Sequence, residues 1–389
     1  MKIAIYAAPL VTRHITGIEQ LARNIVAQWV TLAGQHTFFI LLEDHLPYHR
    51  DFDSSVIDAL PANFHITRIH PERRFSTMES IEGFLRRNAP RPGGKEPWDI
   101  LHSFSAWLPR VSGVPMVHTI HDLSCELDPH VRRTHEGAMQ REIHRSAVRR
   151  ASRTIAVSQQ TRDDIIALYK VPQTRVDIIH NGINPTFTRD PDAELHQQLI
   201  EHFHTDRRYI LMVGSDIPRR NYQRVWPAMV RVLRTHPRLQ LILAGRNRWN
   251  QTALYHRISA DGFLGRVTFI ESPSDKVLAQ LYRDAMLTCC GSSFEGFGLS
   301  VLEAMACGCA VACSDMMSLR ELAGDAVLYF SHDEEDSMAE AISSLVDDPE
   351  FRRQLRQRGL QRSSEFTWEH SGRQLLTILE NTITANQKH

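Results

Sequence analysis

Two glutamates and two arginines carry the chemistry that this sequence can be read to perform. Glu295 and Glu303 lie eight residues apart in Ser293-Phe294-Glu295-Gly296-Phe297-Gly298-Leu299-Ser300-Val301-Leu302-Glu303-Ala304-Met305-Ala306-Cys307-Gly308. The apolar run Met286–Cys290 before it reads as a strand, and the helix after it opens near Gly298–Leu299 and stops at Gly308. Unbonded N–H groups at such a helix start, aligned with the helix dipole, attract an anion. Gly296 and Gly298 let a ligand come close to the main chain. A carboxylate beside an anion is unfavourable unless hydroxyl donors occupy it, and a carboxylate accepts two hydrogen bonds at once. The local physics therefore suggests a phosphate at the turn with a polyol on either side. A plain strand–turn–helix with a capping acid fits the same residues, and spacing alone leaves both readings open.

A second group lies upstream. The apolar run Tyr209–Val213 ends in Gly214-Ser215, followed by Asp216-Ile217-Pro218-Arg219-Arg220-Asn221. Adjacent arginines at a strand end, just before a helix, can clamp a pyrophosphate through charge-assisted bonds. A solvated arginine pair is the alternative. Asp216 and Asn221 read as structural.

The elements that must position these residues alternate between strand and helix. Strands are expected over Lys2–Ala7, Thr37–Leu42, Asp99–Ser103, Pro115–Ile120 and Thr154–Val157, with a helix from Gly17 to about Val30. The pattern restarts with Tyr209–Val213, Leu239–Ala244, Val267–Ile270, Met286–Cys290, Ala310–Ser314 and Ala326–Tyr329, and Pro227 blemishes a helix over Tyr222–Arg234. Such alternation predicts parallel sheets covered by helices on both faces, and two α/β units of similar size. The join falls around Asn184–Asp206. Pro71–Trp98, with Pro90, Pro92, Gly93 and Gly94, reads as a mobile loop region. Ligands of doubly wound folds bind at the carboxyl ends of the strands.

Composition narrows the class. The chain has 389 residues, 42% hydrophobic and 23% charged, which is ordinary for a globular protein of two or three domains. Lys+Arg and Asp+Glu both number 45, so the basic excess of a nucleic-acid binder is missing. No apolar run is long enough for a transmembrane helix, and the N-terminus lacks a signal-peptide core. Five of the six cysteines (Cys289, Cys290, Cys307, Cys309, Cys313) fall in one segment without the paired spacing of a zinc site. They read as reduced thiols filling the core of a cytosolic protein. Arg141, Arg145, Arg149, Arg150 and Arg153, with Arg132 and Arg133 upstream, follow helical spacing. That face is either solvated or a contact for anionic lipid.

The segment around Glu295 resembles the E-x7-E motif of retaining GT-B glycosyltransferases (family 4, group 1), among them bacterial mannosyltransferases of surface polysaccharide synthesis. The resemblance continues through Gly308-Cys309-Ala310-Val311-Ala312-Cys313-Ser314 and Glu321-Leu322-Ala323-Gly324-Asp325-Ala326 and covers most of the chain. It implies two facing Rossmann-like domains with a cleft between them. An acceptor-binding domain would span 1–186 and a nucleotide-sugar domain 187–365. The segment 366–389, an amphipathic helix from Phe366-Thr367-Trp368, would cross back onto the first domain. It further implies that Glu295 contacts the donor sugar and Glu303 holds the ribose. Gly214, Ser215, Gly296, Phe297, Gly298, Leu299 and Ser300 would bind the donor, with the diphosphate on the amides of Gly298–Ser300. Arg220 stands where the family commonly has lysine.

In the first half, Pro115-Met116-Val117-His118-Thr119-Ile120-His121-Asp122-Leu123 resembles the family's strand ending in His-Asp. This implies that His121 faces the cleft and contacts the transferring sugar, whereas His118 reads as a core histidine and Asp122 as a cap or turn acid. Gly17 resembles the first loop, where a small residue lets the main chain meet the donor phosphate; the second glycine that some members carry near Glu19 is missing. Ser158 and Asn181-Gly182 are further family marks. The implied activity is hexosyl transfer with retention, from a GDP-mannose or UDP-glucose type donor to a glycan or lipid-linked glycan hydroxyl, with the base read near Ile270–Ser274. Arg219, Arg220 and the helix amides would supply the counter-charge, so neither metal nor cofactor is expected. The expected location is cytoplasmic, with peripheral contact to the cytoplasmic membrane face. A sugar-nucleotide epimerase of similar fold and a non-catalytic nucleotide-sugar binder are the rival readings.

Overall fold

The structure, a computed structural model, describes residues 1–6, 10, 17–43, 56, 59–69, 98–105, 108, 113–203, 208–246 and 248–387. It divides into two compact units, one made of Met1–Gly182 with Thr367–His389 and the other of Ile183–Phe366. The loop region expected over 71–97 lies outside the described residues.

The first unit is built on β1 (Lys2–Tyr6), β2 (Thr37–Glu43), β3 (Phe64–Ile69), β4 (Ile100–Ser103), β5 (Met116–Ile120), β6 (Arg153–Ala156) and β7 (Val176–Ile178). They form one parallel sheet in the order β3-β2-β1-β4-β5-β6-β7. The second unit repeats the plan with β8 (Tyr209–Val213), β9 (Gln240–Gly245), β10 (Val267–Glu271), β11 (Leu287–Cys290), β12 (Ala310–Ser314) and β13 (Leu328–Phe330), in the order β10-β9-β8-β11-β12-β13. Both are doubly wound Rossmann-like orders. The winding reverses between β1 and β4 in one unit and between β8 and β11 in the other, and loops leaving the strand ends at such a reversal border a crevice. The central strands are buried along their whole length, as a parallel sheet covered on both faces requires.

Most strands fall within one or two residues of their expected bounds. Two were not foreseen. β3 (Phe-His-Ile-Thr-Arg-Ile) lacks a clean apolar alternation and sits at the sheet edge, where Phe64 stacks on Phe38 at 4.4 Å. β7 has three residues, too short for a periodic signal. Pro227 does not break the helix Tyr222–Thr235. Proline lacks the N–H that would bond to the carbonyl four residues back. That carbonyl, of Gln223, accepts instead from Arg257 Nη1 at 3.0 Å.

The last helix, Trp368–Asn386, packs in the first unit against the helix Gly17–Leu32. Trp29 Nε1 donates to the Gly372 carbonyl at 3.0 Å, and the bare Cα of Gly372 leaves room for Gln28. All six cysteines are buried free thiols. On the basic helix His135–Arg150, Arg141 caps the carbonyls of Cys125 and Arg132, Arg145 pairs with Glu126 and Arg150 reaches the Leu108 carbonyl, while Arg149 stays exposed beside Glu142. Just past it, Arg153 pairs with Asp177. These partners account for the spacing of Arg141, Arg145, Arg150 and Arg153. Among the described residues no helix is long and apolar enough to cross a membrane.

His102, on β4, is fully buried, edge-on to Phe104 and Trp29, and among the described residues its ring nitrogens find no well-formed hydrogen bond, only the nearby Val117 main chain. Burial pushes its pKa down to about 3, and that of His144 to about 4. Both bind protons more readily once unfolded, so the stability they contribute is lost as pH falls from 6.5 toward those values. His102→Leu removes an unsatisfied buried polar group, whose cost is about 1–3 kcal/mol. Thermal unfolding should show a higher Tm for this variant at pH 7 and a still larger advantage at pH 4.5.

Candidate functional site

The arginine loop begins where β8 ends. Gly214 has φ 132°, and a Cβ there would lie 2.8 Å from Arg220 Nε. The missing side chain is what lets the Arg220 guanidinium fold back over the strand end. Between them Pro218–Arg220 forms one tight turn, and Asn221, left-handed at φ 60°, starts the helix Tyr222–Thr235. Asn221 Nδ2 donates to the His332 carbonyl at 2.7 Å, and Tyr222 Oη to the Gly214 carbonyl at 3.1 Å, so Asn221 is structural as expected. Ser215 donates to the Arg246 carbonyl at 3.4 Å.

The neighbouring strand β11 delivers the glutamate loop. Arg220 Nη1 pairs with Glu295 Oε1 and approaches Ser292 Oγ at 3.4 Å, while Ser292 Oγ donates to the same Glu295 oxygen at 2.9 Å. The Glu295 side chain is 8% exposed and that of Arg220 20%. The adjacent carboxylate raises the Arg220 pKa further, against the effect of burial. Arg219 takes part through its carbonyl, which accepts from the Ser293 N–H at 2.8 Å and stitches the two loops together. The sequence places Arg219, Arg220 and Glu295 around one diphosphate. The structure joins the Arg220 side chain directly to Glu295.

The turn then enters the helix Leu299–Ala306 through Gly298. Gly298 has φ 104°, and a Cβ there would lie 2.4 Å from Leu319 Cδ2, so both conformation and space demand glycine. No side chain caps this helix. The Ser300 hydroxyl beside the uncapped end is buried and without a hydrogen-bond partner. Leu299 is half-buried beside it. Phe297 is buried, edge-on to Phe366 at 5.9 Å, and Gly296 is buried beside it. Glu303, in the middle of the helix, accepts from Tyr282 Oη at 3.3 Å. Burial, with Asp275 nearby, pushes its pKa up to about 8.

In the first unit, His121 follows β5. Its Nε2 lies 2.8 Å from the Phe104 carbonyl, which can only accept, so Nε2 carries the proton and Nδ1 keeps its lone pair. Burial lowers its pKa. Asp122 caps the next turn by accepting from the Ser124 N–H at 2.9 Å. His118 is buried and bonded to Thr154 at 3.0 Å, as a core histidine should be. Ser158 caps the helix Gln159–Tyr169, and Asn181 is buried. Gly17 opens the helix Gly17–Leu32.

In the second unit, therefore, Gly214, Arg219, Arg220, Glu295, Gly298 and Ser300 converge at the reversal between β8 and β11. Sequence reasoning missed Ser292, Tyr282, Ser314 and Ser318; serines and a tyrosine within apolar runs give no periodic signal. Among the described residues no group of three or more His, Cys, Asp or Glu could hold a metal ion.

A family model described as Glycosyltransferase Family 4 matches residues 15–187, and one described as Glycosyl transferases group 1 matches residues 197–362. The chain belongs to this glycosyltransferase family. Among relatives of this glycosyltransferase, the O-antigen chain mannosyltransferase B of Escherichia coli is 29% identical over 65% of this chain and 67% of its own. The alpha-maltose-1-phosphate synthase of Mycolicibacterium smegmatis is 30% identical over 68% of this chain and 73% of its own. The Anabaena protein HepE, solved in complex with UDP-glucose, has a TM-score of 0.73 at 16% identity, covering 98% of this chain and all of that one. The glycosyltransferase has the GT-B fold of two Rossmann-like units.

A glutamate with native pKa about 8 and unfolded pKa near 4.5 holds extra protons in the folded state across that interval. Stability contributed by this group therefore declines as pH rises from 4.5 to 8. Glu303→Gln abolishes the titration. Urea unfolding at pH 5 and pH 8.5 should show the Ile183–Phe366 unit of the variant losing less stability between the two than wild type. An equal loss would show that Glu303 is ionised throughout.

Proposed function

We propose that this glycosyltransferase moves a hexose from a nucleotide diphosphate sugar to a hydroxyl of a glycan or lipid-linked glycan, with retention of anomeric configuration. The observation that carries the reading is the convergence at the β8–β11 reversal: a guanidinium, a carboxylate bound to it, and an uncapped helix start with an unpartnered buried hydroxyl. An anion and a polyol held side by side satisfy all three. Arg219, Arg220 and the amides of Gly298, Leu299 and Ser300 receive the diphosphate. Gly214, Ser215 and Gly296 let it approach the main chain, and Phe297 backs the turn. Glu295 takes a hydroxyl of the donor sugar and Glu303 the ribose diol. In the first unit, His121 contacts the transferring sugar and Gly17 approaches the donor phosphate. The first domain binds the acceptor and the second the donor. Main-chain groups near Ile270–Ser274 read the base.

In the reaction the bond from the anomeric carbon to the phosphate oxygen breaks, and the nucleotide diphosphate leaves with the electron pair. The acceptor oxygen attacks the same face of an oxocarbenium-like centre. Its proton passes to the departing phosphate, and no covalent enzyme intermediate forms. Preorganised positive charge at the leaving group lowers the barrier without reorganisation during the step. Arg219, Arg220 and the helix dipole supply that charge, and no metal is required. GDP-mannose is the proposed donor, from the likeness to an O-antigen mannosyltransferase, with UDP-glucose as the alternative. A cytoplasmic enzyme of surface-polysaccharide synthesis follows from the same likeness.

Arg219→Ala and Glu295→Gln should each lower kcat/KM roughly a hundredfold to a thousandfold, the range for removing one transition-state contact; Arg219→Ala should keep the wild-type Tm within a few degrees, and Glu295→Gln should stay folded with a lower Tm, because it leaves the buried Arg220 without its anion. Full activity in both would refute the assignment. Turnover should be unchanged by EDTA, and product NMR should report the donor's anomeric configuration. Loss of activity in EDTA with rescue by Mg²⁺ or Mn²⁺ would reject the metal-free step.

A further inference from the structure

Four hydrogen bonds around the glutamate loop point beyond the residues already assigned. The segment between β11 and the helix Leu299–Ala306 has no regular structure, so side chains must fix it. Ser314, at the end of β12, donates to the Ser292 carbonyl at 2.6 Å. Ser318, on the helix Met317–Ala323, donates to the Glu295 carbonyl at 2.7 Å. Ser292, Ser314 and Ser318 are each no more than 1% exposed. The main chain is thus held at both ends of the tetrapeptide Ser292–Glu295 by hydroxyls from two different elements.

The other two bonds act on the carboxylate. A serine hydroxyl has one proton and two lone pairs. Ser292 gives its proton to Glu295 Oε1 at 2.9 Å, so its 3.4 Å contact with Arg220 Nη1 is one in which it accepts. Arg220 also pairs directly with Glu295 Oε1. One carboxylate oxygen is therefore held twice, directly by the guanidinium and through the hydroxyl. Among the described residues Oε2 has no hydrogen-bond partner in the protein.

Resting on the proposed role of Glu295, we infer that Ser292 is a positioning residue that immobilises Oε1 and leaves Oε2 to accept one hydroxyl of the donor hexose. Ser314 and Ser318 keep the loop in register for it. Recognition of the hexose is then one-sided: a single oxygen at a fixed position, more selective for hydroxyl placement than a freely rotating carboxylate. The nucleotide portion of the donor does not meet this oxygen, so the effect of Ser292 is confined to the sugar.

The test measures dissociation constants of UDP, GDP, UDP-glucose and GDP-mannose by titration calorimetry, with turnover of the nucleotide sugars, for wild type, Ser292→Ala, Glu295→Gln and the double variant. Ser292→Ala should weaken the sugar nucleotide that binds wild type, or slow its turnover, by about tenfold, the worth of one hydrogen bond to a charged group. It should leave UDP and GDP affinities unchanged. Its effect should vanish in the Glu295→Gln background, because a residue acting through another is not additive with it. Ser292→Cys, nearly isosteric and still a weak donor, should recover part of the loss. A tenfold loss shared by UDP and GDP, or one that persists in the double variant, would overturn the inference and mark Ser292 as structural. An unchanged Ser292→Ala beside a crippled Glu295→Gln would overturn this inference and leave the assignment of Glu295 standing. Failure of both nucleotide sugars to bind wild type would overturn the two together.

Discussion

The ion pair between Arg220 and Glu295 is the constraint on which the site depends. Both partners are mostly buried, and a buried charge left without its partner typically costs about 3–5 kcal/mol. Neither group can therefore be lost or moved far on its own. The pair fixes the surrounding sequence in turn. Gly214 must lack a side chain for Arg220 to cross the strand end, and Ser292 must stand beside Glu295 to complete its coordination. Under the proposed function, an incoming diphosphate would meet an arginine already paired with a carboxylate. Arg220 has further donors to offer, because a guanidinium carries five N–H groups in a fixed fork and a single carboxylate oxygen uses few of them.

The sheet order explains why these loops meet. β8 and β11 are adjacent in space although two strands intervene in the chain, and the winding reverses between them. Loops leaving adjacent strands in opposite directions cannot cover one another, so their ends stay open to a ligand. The first unit repeats the arrangement at β1 and β4, and the helix opened by Gly17 follows β1. The two halves of the chain share a topology but not its use. Arginine and glutamate stand at one reversal, while the histidine of the first unit follows β5, one strand beyond the reversal there.

Much of this was legible from residue types alone. Parallel strands buried on both faces leave unbroken apolar runs, so Tyr209–Val213 and Ala310–Ser314 could be placed to the residue. Glycines with positive φ marked the two turns, and the family resemblance singled out the acids. What escaped were relations between distant residues. Nothing in Arg219-Arg220 says that the Arg219 carbonyl would tie down the glutamate loop or that the Arg220 guanidinium would meet Glu295. Nothing in Pro227 says that Arg257 would take up the carbonyl it strands. Several arginines of 141–153 have internal partners, Arg141 and Arg150 on carbonyls and Arg145 and Arg153 on carboxylates, and the sequence periodicity alone does not tell this from a lipid-facing stripe. Ser292, Ser314 and Ser318 are short polar residues in apolar surroundings, and only coordinates show where their hydroxyls point.

The two acids that first drew attention end in unlike states, and the difference follows from their surroundings. Glu295 lies against the Arg220 guanidinium, which together with Ser292 holds one of its oxygens. Glu303, eight residues on, has Tyr282 for a neighbour and the Asp275 charge nearby, and burial pushes its pKa up to about 8. Near neutral pH it keeps its proton and can both donate and accept. A vicinal diol, which offers both donors and acceptors, suits the second; a single hydroxyl that must be oriented suits the first. Arg220 touches Glu295 directly and acts on Glu303 only from a distance, where burial and the Asp275 charge outweigh it.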